Sequence, residues 1–136
     1  MRIKDIMKTD LFVLEEEARL KDAADMMKLE RIRHIPVVDK NFKLVGLVTH
    51  RGLLSVLARR KENFLIKDIM IKDVKAVEPE TPLKGAIEVM IVNKFGCLPV
   101  IDNTRKLIGI VTEIDLLKTL YDITPMPEDF YTTSNK

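Results

Sequence analysis

Asp115 follows Thr112 by three residues in the stretch GIVTEID, residues 109–115. An ionised carboxylate only accepts hydrogen bonds, and it can take two vicinal hydroxyl groups at once. Thr-x-x-Asp at a helix start is also close to a capping box, although Glu or Gln is commoner at its fourth position. In that use Thr112 caps the helix and Asp115 sits near its positive end. The two uses are compatible, with the threonine capping while the carboxylate reaches outward. An upstream stretch, GLVTHRG at 46–52, is written the same way but ends in Gly52. Thr49, His50, Arg51 and Gly52 therefore form a degenerate copy. His50 and Arg51 could still put positive charge there for another anion, such as a polyphosphate, or simply start a solvated helix.

The two stretches belong to a longer repeat. IKDIM occurs at 3–7 and again at 66–70, and an offset of 63 pairs residues 3–58 with 66–121 without a gap. Of the 56 pairs 23 are identical, so the chain is a duplication. Leu20 meets Leu83, Met27 meets Met90, Pro36-Val37 meets Pro99-Val100, Asp39 meets Asp102 and Gly46 meets Gly109. Each unit opens on a short extended segment, LFVLEE or VKAVEP. A helix follows: Leu20, Ala23, Ala24 and Met27 line one stripe, with Arg31 a turn further at its end. In the second unit Thr81 is expected as the N-cap and Pro82 as the first helical residue. Two strands joined by a short polar turn suggest a hairpin, with Pro36 and Pro99 at strand starts because they cannot donate to a ladder. A second helix closes the unit, giving β-α-β-β-α twice.

A small sheet with two helices cannot cover both of its faces. Packing the units sheet to sheet about a pseudo-two-fold axis completes a core, which makes the fold class α+β. Units are expected at 1–62 and 63–122, followed by an irregular tail at 123–136. The symmetry creates two equivalent clefts between the halves.

Composition narrows the function. The 136 residues are 46% hydrophobic and 32% charged, with a net charge of +2. No global basic field points to nucleic acid, and the cationic run ARRKENF (58–64) reads as a helix end. No apolar run reaches the roughly 18–20 residues that span a bilayer, and the N-terminus lacks a signal peptide's apolar centre. The single cysteine, Cys97, fits a reducing cytoplasm. As a nucleophile Cys97 would need a base and a depressed pKa. His34 is the one histidine that the duplication brings near it, and no third residue orients that pair. His34, His50 and Cys97 lack metal-ligand spacing. No catalytic, cofactor or metal centre is expected, and the chain reads as a non-enzyme.

Tandem β-α-β-β-α units carrying Pro-Val and Gly-x-Val-Thr-x-x-Asp resemble a pair of CBS domains, also called a Bateman module. The resemblance covers residues 1 to about 122. It implies a regulatory module that binds an adenine-containing ligand between its halves and dimerises through its helices. Carried over to this sequence, Thr112 and Asp115 would hold the ribose hydroxyls. Val74, Ala76, Cys97, Leu98 and Pro99 would wall the adenine, and Arg33 and His34 would face phosphate. Gly96 and Cys97, which replace those two residues in the second unit, are not basic. The resemblance thus implies one competent cleft, for AMP, ADP or ATP, and an energy-sensing output to a separate effector or through a homodimer. S-adenosylmethionine or an NAD-type ligand is the alternative at the same carboxylate. A structural dimerisation or nucleic-acid-contacting module is a further one, against which few aromatic residues argue.

Overall fold

A computed structural model describes residues 1–59 and 63–130. Arg60, Lys61 and Glu62, from the cationic run and the expected unit boundary, lie outside those residues, as do the last six of the tail. The elements are β1 (Leu14–Glu15), α1 (Leu20–Glu30), β2 (His34–Val38), β3 (Leu44–Thr49), α2 (His50–Leu57), α3 (Ile66–Ile69), α4 (Leu83–Asn93), β4 (Cys97–Ile101), β5 (Leu107–Thr112) and α5 (Glu113–Ile123). Strand β1 runs parallel to β2, and β2 and β4 form antiparallel hairpins with β3 and β5. The counterpart of β1 is a single parallel bridge from Val77 to Val100. It keeps both backbone bonds, Val77 N–H to Pro99 (3.0 Å) and Ile101 N–H to Val77 (2.9 Å).

Local chemistry explains where expectation and structure part. Pro36 and Pro99 lie third in five-residue strands, not at their starts. The N–H and C=O of a strand residue point to the same side, and the Pro99 carbonyl faces Val77. The missing N–H therefore falls beside that short first strand, and the hairpin ladder loses nothing. In α4 the N-cap is Pro82, one residue later than expected. The Thr81 hydroxyl instead accepts from the Glu78 N–H at 3.2 Å, inside the preceding turn. Arg31 and Lys94 both end their helices in the left-handed region at φ 55°. The tail, expected to be irregular from 123, begins as the last residue of α5 and is helical again at 128–130.

Aspartates make the two hairpin turns. The Asp39 carboxylate accepts from the N–H groups of Asn41 and Lys43 (2.8 and 2.9 Å). Asp102 accepts from those of Thr104 and Lys106 (2.9 and 3.0 Å). The turns then meet across the pseudo-two-fold axis. Leu44 N–H donates to the Arg105 carbonyl (3.1 Å), and its repeat partner Leu107 donates to that of Phe42 (3.0 Å). Val38, Leu44 and Leu107 are buried there, and the partly buried Val13, Ala76 and Ile101 pack against them, residues from both halves.

The segment that leads each repeat crosses to the other half. Ile3 is fully buried among Ala86, Met90, Leu98, Val100 and Val111 of the second unit. Ile66, its repeat partner, is fully buried among Ala23, Met27, Ile35, Val37 and Val48 of the first. Chain order and packing therefore assign the leaders to different halves. Glycines make room for them: a Cβ on Gly109 would lie 2.7 Å from the Met7 sulfur, and one on Gly46 would strike that of Met70. Truncating a fully buried isoleucine typically removes about 2–5 kcal/mol. Ile66→Ala and Ile3→Ala should each lose that order of stability in urea titrations while retaining a single transition. Two separated transitions would show that the halves close their cores independently.

Candidate functional site

Strand β5 ends at Thr112 and α5 begins at the next residue, so Asp115 stands at the third helical position. Its carboxylate Oδ2 accepts from the Thr112 N–H at 2.8 Å and from the Thr112 hydroxyl at 3.0 Å. The expected roles are exchanged: Thr112 makes no side-chain cap hydrogen bond, and the carboxylate turns back to take the Thr112 N–H instead of reaching outward. In the degenerate copy the roles change: the Thr49 hydroxyl accepts from the Gly52 N–H at 3.0 Å. Asp115 is 6% exposed, the one buried charged side chain among the described residues. A buried charge is tolerated only when paired and hydrogen-bonded. The third partner is Lys8, whose Nζ lies 3.1 Å from Asp115 Oδ1. Both hydrogen bonds fall on Oδ2; Oδ1 faces the ammonium as an ion pair and, among the described residues, keeps lone pairs able to accept.

The leader exchange brings Lys8 there. Its N–H donates to the Ile110 carbonyl (2.9 Å) and its carbonyl accepts from the Ile110 N–H (3.0 Å). Ile71 makes the same pair of bonds with Leu47 in the other half (2.8 and 3.0 Å). Sequence reasoning missed Lys8, although the 63-residue offset carries the signal. It sets Lys8 against Ile71 and Asp115 against Gly52, so cation and carboxylate are lost together.

Beside this pair lies a buried apolar cluster. Cys97 faces Thr112 across the β4–β5 ladder and is buried with Leu47 and Ile110, against which Leu11 and Val74 pack. Val74 and Ala76 also border the cluster between the halves. Pro99 is buried opposite Ile110. Leu98 corrects the expected wall: strand alternation turns its side chain the other way, fully buried with Ala86 and Met90 in the second unit's core.

His34 does reach the second half. A Cβ on Gly96 would lie 2.8 Å from its Nε2 and 3.5 Å from Glu113 Oε1, at the start of α5. Burial lowers the His34 pKa, as does Arg33, against the opposing pull of Glu113. The imidazole is therefore neutral near pH 7, a hydrogen-bonding group and not the expected cation. Glu113, the repeat partner of His50, was not expected in this position. Arg33 and His50 line a groove of about 540 Å³ with Arg31, Leu53, Leu54 and Leu57, on the helical side of the first unit. Arg51 is exposed, and Gly52 has no side chain to stand where the carboxylate does. No cluster of metal-ligating side chains occurs among the described residues, and none of their helices is long and apolar enough to cross a membrane.

Two half-chain repeats with exchanged leaders and matching hairpins define a tandem duplication whose halves complete each other. The chain belongs to the CBS domain family, which it matches at residues 3–59 and 66–122. The CBS domain pair of protein MJ0100, solved with 5'-methylthioadenosine and S-adenosyl-L-methionine, is 27% identical with a TM-score of 0.85, over 91% of this chain and 98% of that one. CBSX2 from Arabidopsis thaliana, solved with AMP, is 27% identical with a TM-score of 0.81, over 90% and 97%. A homoserine O-acetyltransferase of Methanohalobium evestigatum is 35% identical over 87% of this chain, which spans only 24% of that enzyme's length.

The same geometry makes Cys97 inert. Burial, with help from Glu113, pushes its thiol up to about 12, and a thiol reacts as its thiolate. At pH 8 the folded protein should alkylate orders of magnitude more slowly than the same chain in urea. A folded-state rate near that of the unfolded chain would contradict the packing described for β4.

Proposed function

We propose that this chain is a regulatory module that binds one adenine nucleotide, AMP, ADP or ATP, in the cleft at Asp115. The observation that carries the reading is the buried carboxylate whose Oδ1 accepts no hydrogen bond among the described residues, beside the apolar cluster of Val74, Cys97 and Ile110. Its repeat partner is a glycine, so the reading is of one competent cleft. The AMP complex of CBSX2 supports a nucleotide. The MJ0100 complex favours a second reading, S-adenosylmethionine or a related nucleoside at the same carboxylate.

Thr112 and Asp115 hold the ribose, with Val74, Ala76, Cys97 and Pro99 beside the base. Of the two residues expected at the phosphates, His34 reaches the second half and has an N–H to offer, while Arg33 lines the groove on the helical side. The output goes to a separate effector or through a homodimer. Ile114, Leu117, Leu120 and Tyr121 leave an exposed apolar face on α5, and Leu54 and Leu57 do so on α2. Such faces suit a second copy of the chain. A reduced, buried Cys97 suits the cytoplasm.

Charge-assisted hydrogen bonds contribute about 1.5–3 kcal/mol each, so losing the carboxylate should weaken binding roughly ten- to a hundredfold or more. Calorimetry with AMP, ADP, ATP, S-adenosylmethionine and NAD should give about one site per chain for at least one of them. Asp115→Asn, which keeps an oxygen for the Thr112 N–H, should lose that binding at nearly unchanged melting temperature. Two equal sites, or no ligand in the panel, would end the proposal.

The apolar faces make a separate claim. Light scattering should give twice the chain mass, and Leu117→Glu should halve it. A monomeric wild-type protein would reject the homodimer.

A further inference from the structure

Lys8 is a surface lysine by exposure, 49%, yet it stands over a carboxylate that is 6% exposed. Lys8 is thus the more accessible partner of the pair. Its backbone is fixed to Ile110, so the side chain extends from a held point. Folding does not require a lysine there. Ile71, at the same place in the other half, makes the same backbone bonds and is 49% exposed. Nor does capping require one. Asp5, Asp22 and Asp68 accept the N–H groups of Arg2, Arg19 and Leu65 at helix starts from exposed positions (2.7, 2.9 and 2.8 Å).

Resting on the nucleoside reading of the Asp115 cleft, we propose that Lys8 is its specificity-determining residue, the cationic half of a diol clamp that selects an anionic ribonucleotide over a sulfonium-bearing nucleoside. A ribose hydroxyl can donate to Asp115 Oδ1 and accept from Lys8 Nζ at the same time, since carboxylate and ammonium have complementary roles. A 2'-deoxy ligand loses half of that exchange. The pair is neutral, so a carboxylate that alone would attract a sulfonium no longer does. The ammonium has three donors, so while it pairs with Asp115 donors remain for a phosphate oxygen. The attraction is partly screened at a half-exposed site, which sets the effect near five- to tenfold. Loss of both partners at Ile71 and Gly52 removes the whole clamp from the other cleft.

The test is calorimetry of the full chain with AMP, 2'-deoxy-AMP, adenosine and S-adenosylmethionine, for wild type, Lys8→Met and Lys8→Arg. Wild type should prefer AMP to S-adenosylmethionine and to 2'-deoxy-AMP. Lys8→Met should shift the AMP to S-adenosylmethionine ratio at least fivefold towards the sulfonium, with adenosine changed less than AMP. Lys8→Arg should restore most of the preference, which keeps the test decisive if the methionine variant folds poorly. Equal weakening of all four ligands in Lys8→Met would mean that Lys8 merely holds Asp115, and would overturn the inference while leaving the nucleoside reading intact. A wild-type preference for S-adenosylmethionine would also overturn it. Absence of binding to all four by wild type removes the nucleoside reading, and the inference with it.

Discussion

Ile66 fills the core of the first half and Ile3 that of the second, and each arrives on a segment that chain order assigns to the opposite unit. A unit of about 60 residues buries too little surface to be comfortably stable alone. The exchange answers that limit by making each half complete the other. It fixes more than stability. The same segments carry Met7 and Met70 onto Gly109 and Gly46, and then set Lys8 and Ile71 beside Ile110 and Leu47. The edge of each cleft is thus built by the half that does not own its helix.

Symmetry in the scaffold makes asymmetry in the clefts informative. Ile3 and Ile66, Met27 and Met90, and Leu44 and Leu107 occupy matching places, so packing demands are equal on both sides. Where the halves nevertheless differ in charge, packing is not the cause. Three of the pairs that differ in charge bear on the clefts: Lys8 and Ile71, Glu113 and His50, and Asp115 and Gly52. All three belong to the α5 end of the molecule or its counterpart. A buried carboxylate is costly unless it is paired, and the half that lost the carboxylate also dispensed with the lysine.

Much of this was legible without coordinates, because a gapless duplication states its own architecture. Both hairpins, the two helices of each unit and the Thr-x-x-Asp helix start follow from it. What was not legible depended on directions and exchanges that pattern alone does not fix. Leu98 sits between Cys97 and Pro99, and only strand alternation, once β4 is placed, turns it into the core. Pro99 is harmless in mid-strand because its missing N–H falls on the side of an abbreviated strand, a fact of registry. Thr81 is a fine capping residue whose hydroxyl is used by the turn before it. Lys8 lies more than a hundred residues from Asp115 in the chain, and nothing local hints that its segment crosses over. The repeat held that clue as two departures at one offset, read singly as one missing acid.

The position of Asp115 also bears on how occupancy could be transmitted. Asp115 turns inward to Thr112, while its neighbour Ile114 is 54% exposed on the same first turn of α5. Leu117, Leu120 and Tyr121 continue that outer surface. A ligand gripped by Lys8 and Asp115 together would tie the first repeat's leader to the second repeat's helix. A ligand shifts an equilibrium only by its differential affinity for the two arrangements. Here the difference would lie in whether the ammonium and the carboxylate are spaced for one hydroxyl between them or rest on each other at 3.1 Å. That spacing is set by the leader's position on β5, and the helix carrying the carboxylate carries the outer apolar face as well. Cleft and surface therefore share one rigid element, and no longer route between them is needed.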